Sequence, residues 1–207
     1  MSTDRGASAP CGAPSSDDPR VVYDEWAPRY DAENLAKGFR LPFVAASFLA
    51  RHLSPARGTV LDAACGTGLV GEHLGLLGYA LVGCDLSPEM LRRAAATRAY
   101  TALELADLTA LPFAPDSFAG FIASGATGPG HAPPEALGEL ARVTRPGGIG
   151  VFSLREDTYA AQGFAAMARR MSETGRWREL VRTDPFRAYL TGEPHLFSRL
   201  VIVEIIG

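Results

Sequence analysis

Cysteine, net charge and long apolar runs are what this chain has least of. Its three cysteines, Cys11, Cys65 and Cys84, are an odd number without a C-x-x-C pair. That argues against a disulfide framework or a structural zinc and predicts reduced thiols, with Cys65 and Cys84 as small buried hydrophobes. A formal net charge of −3 gives no electrostatic case for nucleic acid or a membrane as partner. Small, neutral ligands or free metabolites are the expected substrates. No apolar run reaches the roughly 18 residues of a membrane span, and the N-terminus lacks the basic and apolar parts of a signal peptide, so a cytoplasmic location is expected. There is no internal repeat. At 207 residues and 47% hydrophobic, the chain suits one domain with a substantial core.

What is present is organised around Val60 to Gly71, V-L-D-A-A-C-G-T-G-L-V-G. Val60 and Leu61 end an apolar run that Asp62 closes with a carboxylate. Gly66 and Gly68 then supply a turn without Cβ atoms, so the backbone can lie close against a bound molecule. Leu69, Val70, His73, Leu74 and Leu77 recur at helical spacing, with Gly78 at the expected stop. A strand, a glycine turn and a helix N-terminus together make a nucleotide-cofactor pocket.

Gly66, Gly68 and Gly71 also fit the dinucleotide pattern G-x-G-x-x-G, with Asp85 about twenty residues on. Asp62 opposes that reading: a carboxylate just before the turn repels a pyrophosphate but suits a cationic amino acid moiety such as that of S-adenosylmethionine. At these residues the chain resembles the class I S-adenosylmethionine-dependent methyltransferases, whose first motif is acidic-x-x-x-G-x-G, here Asp62, Gly66 and Gly68. The resemblance runs from about Tyr23 to Ile206. The Y-D-x-W-A opening, the V-T-R-P-G-G turn and the G-R-W near Trp177 are most similar to the small methyltransferase-like proteins of the Williams-Beuren region group.

In chain order, Met1 to Pro19 is poor in residues to bury and reads as a mobile tail, leaving residues 20–207 as a single domain. Val22, Trp26 and Tyr30 make an aromatic helical face, with Trp26 expected to pack on the core. Leu41 to Leu53 is a second helix opened by Pro42. Ala80 to Asp85 is the second strand, and an acid at its carboxyl end is the usual partner of a ribose diol. Ser87, Pro88 and Glu89 are an N-cap, a first-turn proline and a dipole-matched acid, with Met90, Leu91, Ala94 and Ala95 as the buried face. Thr101 to Ala106 is the third strand, with Asp107 and Leu108 after it, so Asp62, Asp85 and Asp107 recur at three successive strand ends. Ser117 to Ser124 is strand four, followed by the loop Gly125 to His131. Pro134 to Val143 is a helix, Ile149 to Leu154 is strand five, and Tyr159 to Thr174 is a further helix. Trp177 to Arg182 and Leu196 to Ile206 are the last two strands.

The resemblance implies a doubly wound α/β fold: a seven-stranded Rossmann-like sheet, order 3-2-1-4-5-7-6, with helices on both faces. It implies S-adenosylmethionine as cofactor, held by Asp62, Ala63, Gly66, Gly68, Asp85, Leu86, Asp107, Leu108, Ser124 and Tyr30. It also implies that Tyr23 or Tyr30 lines the methyl-donor site, in a segment that forms a lid. His131 is the candidate acid or base, since its reference pKa lies near neutrality; placed before two prolines, it can equally serve to orient substrate. Tyr23 is the second candidate at the reacting centre. Arg155 and Glu156 are weaker candidates for substrate contact, while Asp157 or Thr158 reads as a helix cap.

The reaction expected is attack by an O, N or C nucleophile of a small organic molecule, of the secondary-metabolite kind, on the sulfonium methyl. Two rivals stay open. One is a protein that binds S-adenosylmethionine without methylating, as a rearrangement catalyst or a binding partner. The other is an NAD(P)-dependent oxidoreductase, opposed by Asp62 and by the lack of a Tyr-x-x-x-Lys pair. Oligomeric state is not legible.

Overall fold

The computed structural model of the chain describes residues 18–127, 131–157 and 163–207. Of the expected tail only Asp18 and Pro19 are among these, as the N-cap and the first residue of the first helix, α1 (Pro19–Ala36). Asp18 Oδ1 accepts from Arg20 N at 2.9 Å, and Pro19 opens the first turn. There follow α2 (Leu41–His52), β1 (Val60–Ala63), α3 (Leu69–Leu76), β2 (Leu81–Asp85), α4 (Pro88–Thr97), β3 (Ala102–Leu105) and β4 (Phe118–Ala123). The chain then forms α5 (Ala136–Val143), β5 (Thr144–Arg155), α6 (Phe164–Glu173), β6 (Trp177–Arg182), β7 (Phe186–Arg187) and β8 (Phe197–Ile205).

The strands lie in the order β3-β2-β1-β4-β5-β8-β6, with the two-residue β7 paired to β8. Pairing is parallel from β3 to β5, and β8 runs antiparallel between β5 and β6. With β8 as the seventh main strand this is the order the resemblance implied; β7, on the segment between Pro185 and Pro194, is an addition that no periodicity announced. No helix of the described residues is long and apolar enough to cross a membrane.

Alternation along the central strands divides the core in two, because successive side chains point to opposite faces. Val60, Ile122, Val151, Leu200 and Ile202 pack with Leu49 of α2 and Leu74 of α3. Leu61, Phe121, Phe152, Val201 and Val203 pack with Leu137 and Leu140 of α5 and Phe164 of α6. All six residues of β4 are buried, as a strand covered on both sides requires.

Local signals set the helix ends. Ser87 caps α4, its Oγ accepting from Met90 N at 3.0 Å, and Gly78, at φ +83°, follows the end of α3. The R-P-G-G segment departs from expectation. Instead of a turn ahead of the strand, it lies within β5, where Phe118 pairs with Thr144 but Gly120 with Ile149. The extra residues form a bulge, with Gly147 at φ +72°. Of the helix expected over Tyr159 to Thr174, the part before Gly163 lies outside the described residues.

Candidate functional site

The site is built at the carboxyl ends of the parallel strands, where β1 turns into α3. Of that turn, Ala64 and Gly66 line a cavity of about 470 Å³, a size typical of small-ligand sites. Gly66 sits at φ +55°, and nothing stands within 4 Å of where its Cβ would be. Its bare backbone therefore forms cavity wall. Ala64 also has positive φ, at 55°, which a residue with a Cβ rarely adopts outside a site that enforces it.

Asp85, at the end of β2, supplies the charge. Its Oδ2 accepts from Gly66 N at 2.8 Å and its Oδ1 from Ser87 N at 2.9 Å, tying the two strand ends together. Burial raises the pKa of this carboxyl, against the pull of the backbone N–H groups of Ser87, Gly66 and Leu86. A carboxylate oxygen has a second acceptor position, so both oxygens retain capacity toward a ligand.

Leu86, Met90, Ala106, Asp107 and Leu108 continue the wall, and Ser124, Gly125 and Ala126 close it at the end of β4. Gly125 N donates to Ser153 Oγ at 2.7 Å, fixing that loop to β5. Ser124 Oγ is buried and makes no hydrogen bond among the described residues. A buried hydroxyl without a partner on the rim of a cavity is suited to a ligand's polar group.

α1 covers the cavity with Pro19, Arg20, Tyr23 and Tyr30. Two acids hold it down: Asp24 Oδ1 accepts from Ser87 Oγ at 2.5 Å and from Glu89 N at 3.2 Å, and Asp31 Oδ1 accepts from Thr67 Oγ1 at 2.5 Å. Trp26 is 1% exposed and packs edge-on against Tyr30, with centroids 4.7 Å apart. It serves the core, as its helical spacing suggested.

Across the cavity mouth, Tyr23 Oη lies 2.6 Å from His131 Nε2. Burial, reinforced by the nearby Asp85 charge, holds the Tyr23 phenol far above its ordinary pKa. The phenol therefore keeps its proton, and the imidazole tautomer sets which way the hydrogen bond to His131 runs. Burial likewise raises the pKa of Tyr30, so both tyrosines are neutral walls.

Nine of the residues singled out from sequence thus line one cavity: Tyr23, Tyr30, Gly66, Asp85, Leu86, Asp107, Leu108, Ser124 and His131. Asp62, Ala63 and Gly68 are not part of its wall. Asp62 is inside β1, 1% exposed, and its Oδ2 accepts from Tyr100 Oη at 2.6 Å. Ala63, fully buried, joins the core cluster under α5 and α6. Gly68 is the left-handed N-cap of α3, and its Cβ position is hemmed in by Thr97, Ala94 and Tyr100 at 3.0–3.3 Å. At the end of β5, Arg155 Nη2 pairs with Asp157 Oδ2 at 2.6 Å and Glu156 Oε2 with Arg199 Nη2 at 2.7 Å, and neither Arg155 nor Glu156 lines the cavity. Asp157 is thus an ion-pair partner, and Thr158 lies outside the described residues.

Sequence reasoning missed Ala64, Met90 and, behind the turn, Tyr100. Ala64 could have been found from its neighbours, since it is the residue between the strand end and the first open glycine. Tyr100, in an ordinary loop, gave no signal.

A family model described as "Methyltransferase domain" matches residues 61–152. The chain is similar to Methyltransferase-like protein 27 of Homo sapiens, at 35% identity over 178 residues, covering 82% of this chain and 72% of the human one. It is also similar to the Malonyl-[acyl-carrier protein] O-methyltransferase of Erwinia pyrifoliae, at 32% identity, covering 68% of this chain and 50% of that protein. The chain thus spans about half the length of this second relative. Among solved structures, a TehB-like SAM-dependent methyltransferase from Corynebacterium glutamicum superposes with a TM-score of 0.64 at 17% identity, over 89% of this chain and 98% of that one, a likeness of fold.

Proposed function

We propose a function for a chain that belongs to the class I S-adenosylmethionine-dependent methyltransferases: it methylates an oxygen, nitrogen or carbon nucleophile of a small organic molecule. The observation that carries the reading is that one cavity brings together the Gly66–Asp85 wall and the Tyr23–His131 pair. The residues fit the cofactor S-adenosylmethionine: an open glycine backbone, an acid with acceptor capacity to spare, and the unpartnered Ser124 Oγ. Gly66, Asp85, Leu86, Asp107, Leu108 and Ser124 would hold it, with Ala64 and Met90 as further wall.

When bound, that cofactor supplies an activated methyl group whose leaving sulfur becomes a neutral thioether. Little covalent work is left for the protein. Tyr23, Tyr30 and α1 exclude water and orient the acceptor, and positioning of this kind supplies roughly 7–11 kcal/mol. His131 receives the acceptor's proton at Nε2 once the acceptor's group takes the place of the Tyr23 hydroxyl, a base contribution of about 10² to 10⁴ in rate. Tyr23 remains protonated and acts as a donor. The O-methyltransferase name of the Erwinia relative supports oxygen as one acceptor atom. We place the enzyme in the cytoplasm without a nucleic-acid partner, on its net charge of −3 and its sparse thiols.

The test is a binding titration of S-adenosylmethionine, S-adenosylhomocysteine and NADH, followed by an acceptor panel scored for S-adenosylhomocysteine release. Binding of the first two and not the third, with release dependent on a small acceptor, is the expected result. Turnover of an acceptor without S-adenosylhomocysteine would overturn it.

A further inference from the structure

We propose that Tyr100 is the positioning residue of the cofactor turn: its ring fills the space that Gly68, Gly71 and Gly83 leave open, and its hydroxyl holds the Asp62 carboxylate. The proposal rests on the reading of the cavity as the cofactor site. Tyr100 does not line that cavity, so it acts through other groups.

Three glycines, two from the start of α3 and one from β2, converge on this one ring. A Cβ on Gly71 of α3 would stand 2.3 Å from Tyr100 Cζ and Oη, one on Gly83 of β2 would stand 2.9 Å from Cε1, and one on Gly68 would stand 3.3 Å from Cε2. The next residue, Thr101, anchors the segment, its N and Oγ1 both bonding to Leu81 O at 2.8 and 2.7 Å. The ring is therefore clamped between α3 and β2, with its hydroxyl delivered 2.6 Å from Asp62 Oδ2.

Asp62 stands two residues before Ala64 and four before Gly66, the part of the turn that forms cavity wall. A buried carboxylate must keep its donors, because one left unsatisfied bears its full desolvation cost. Fixing Asp62 thus fixes the direction in which β1 delivers the turn. The G-x-G-x-x-G spacing gains a different meaning: Gly66 serves the ligand, while Gly68 and Gly71 make room for a tyrosine. Asp85, Cys65 and Cys84 are the other titratable groups close to Asp62. None of them donates to its carboxylate, and among the described residues Tyr100 is its side-chain donor.

The experiment is calorimetric titration of the full chain with S-adenosylhomocysteine at about pH 8.5, where the Asp62 carboxyl is ionised, comparing wild type, Tyr100→Phe, Asp62→Ala and the double variant. Tyr100→Phe keeps the ring and removes one hydrogen bond to a charged group, so affinity should fall about tenfold. If Tyr100 works through Asp62, the double variant binds no more weakly than Asp62→Ala alone, because alanine has no acceptor for the tyrosine hydroxyl. A merely structural tyrosine predicts losses that multiply, and that result overturns the proposal, as does Tyr100→Phe binding within about twofold of wild type. Should Tyr100→Phe fail to fold, Gly71→Ala provides the second arm. It leaves both polar groups in the chain but forces the hydroxyl away from Asp62, so its affinity must fall as well, and unchanged affinity overturns the proposal. A wild type that binds nothing would instead overturn the cofactor reading, and this proposal with it.

Discussion

Replacing Asp62 by asparagine should make the ligand-free protein more stable at alkaline pH and have little such effect in acid. Asp62 is 1% exposed, and burial pushes its carboxyl up from 3.8 to about 7; the Tyr100 hydrogen bond pulls the other way and the Asp85 charge adds to the rise. Below roughly pH 4 the group carries its proton in both the folded and the unfolded chain, and it contributes nothing to the pH dependence. As pH climbs from there to about 7, the unfolded chain gives up the proton while the folded chain keeps it, so stability is lost progressively. Above that the penalty is complete. A rise of about three units corresponds to roughly 4 kcal/mol. Asparagine has no charge to bury, and its amide oxygen still accepts from Tyr100.

Urea unfolding of the wild type and Asp62→Asn at a series of pH values measures this directly, because other titrating groups largely cancel in the difference. Asp85 is the exception: the two carboxylates repel, so part of the gain arrives through a lowered Asp85 pKa, and the change belongs to the pair. The expected outcome is an advantage for the variant that grows by several kcal/mol between about pH 4 and 8. A difference that stays constant over that range would refute the assignment of a buried, reluctantly ionised acid to the end of β1.

Three further outcomes are expected. Asp85→Ala removes the acceptor of both Gly66 N and Ser87 N, and S-adenosylmethionine affinity by titration should drop by at least about tenfold. His131→Ala should lower kcat by about 10² to 10⁴ once an acceptor is in hand, and full kcat across roughly pH 6 to 9 would remove the base role. Gly120→Ala would drive a Cβ to 2.5 Å from the Ile149 carbonyl oxygen between β4 and β5. Thermal or urea melts should show a loss of about 1–3 kcal/mol or more, since neither strand backbone can give way.

Much of the frame was readable because its signals are local. Ser87 and Pro88 announce the start of α4 within two residues, and Gly78 announces the end of α3. The strands β1, β2 and β4 declare themselves as short apolar runs. What escaped had no local mark. β7 has two residues and exists because Phe186 and Arg187 meet Ser198 and Phe197 of β8. The R-P-G-G bulge reads as a turn in isolation and becomes part of β5 because β4 pairs on either side of it.

The candidate site divides in the same way. The sequence by itself determined that a glycine turn follows a buried strand, that an acid ends the next strand, and that aromatic residues precede them; these are statements about neighbours along the chain. Tertiary structure decided which of those groups meet. A one-residue step reverses the direction of a strand side chain, so Ala63 faces the core, Asp62 faces Tyr100 and the turn begins its exposure at Ala64. Tyr23 and His131, 108 positions apart, become hydrogen-bond partners only when α1 is laid across the strand ends. Contacts at such separation depend on the packing of every element between them, and no single stretch of sequence carries that information.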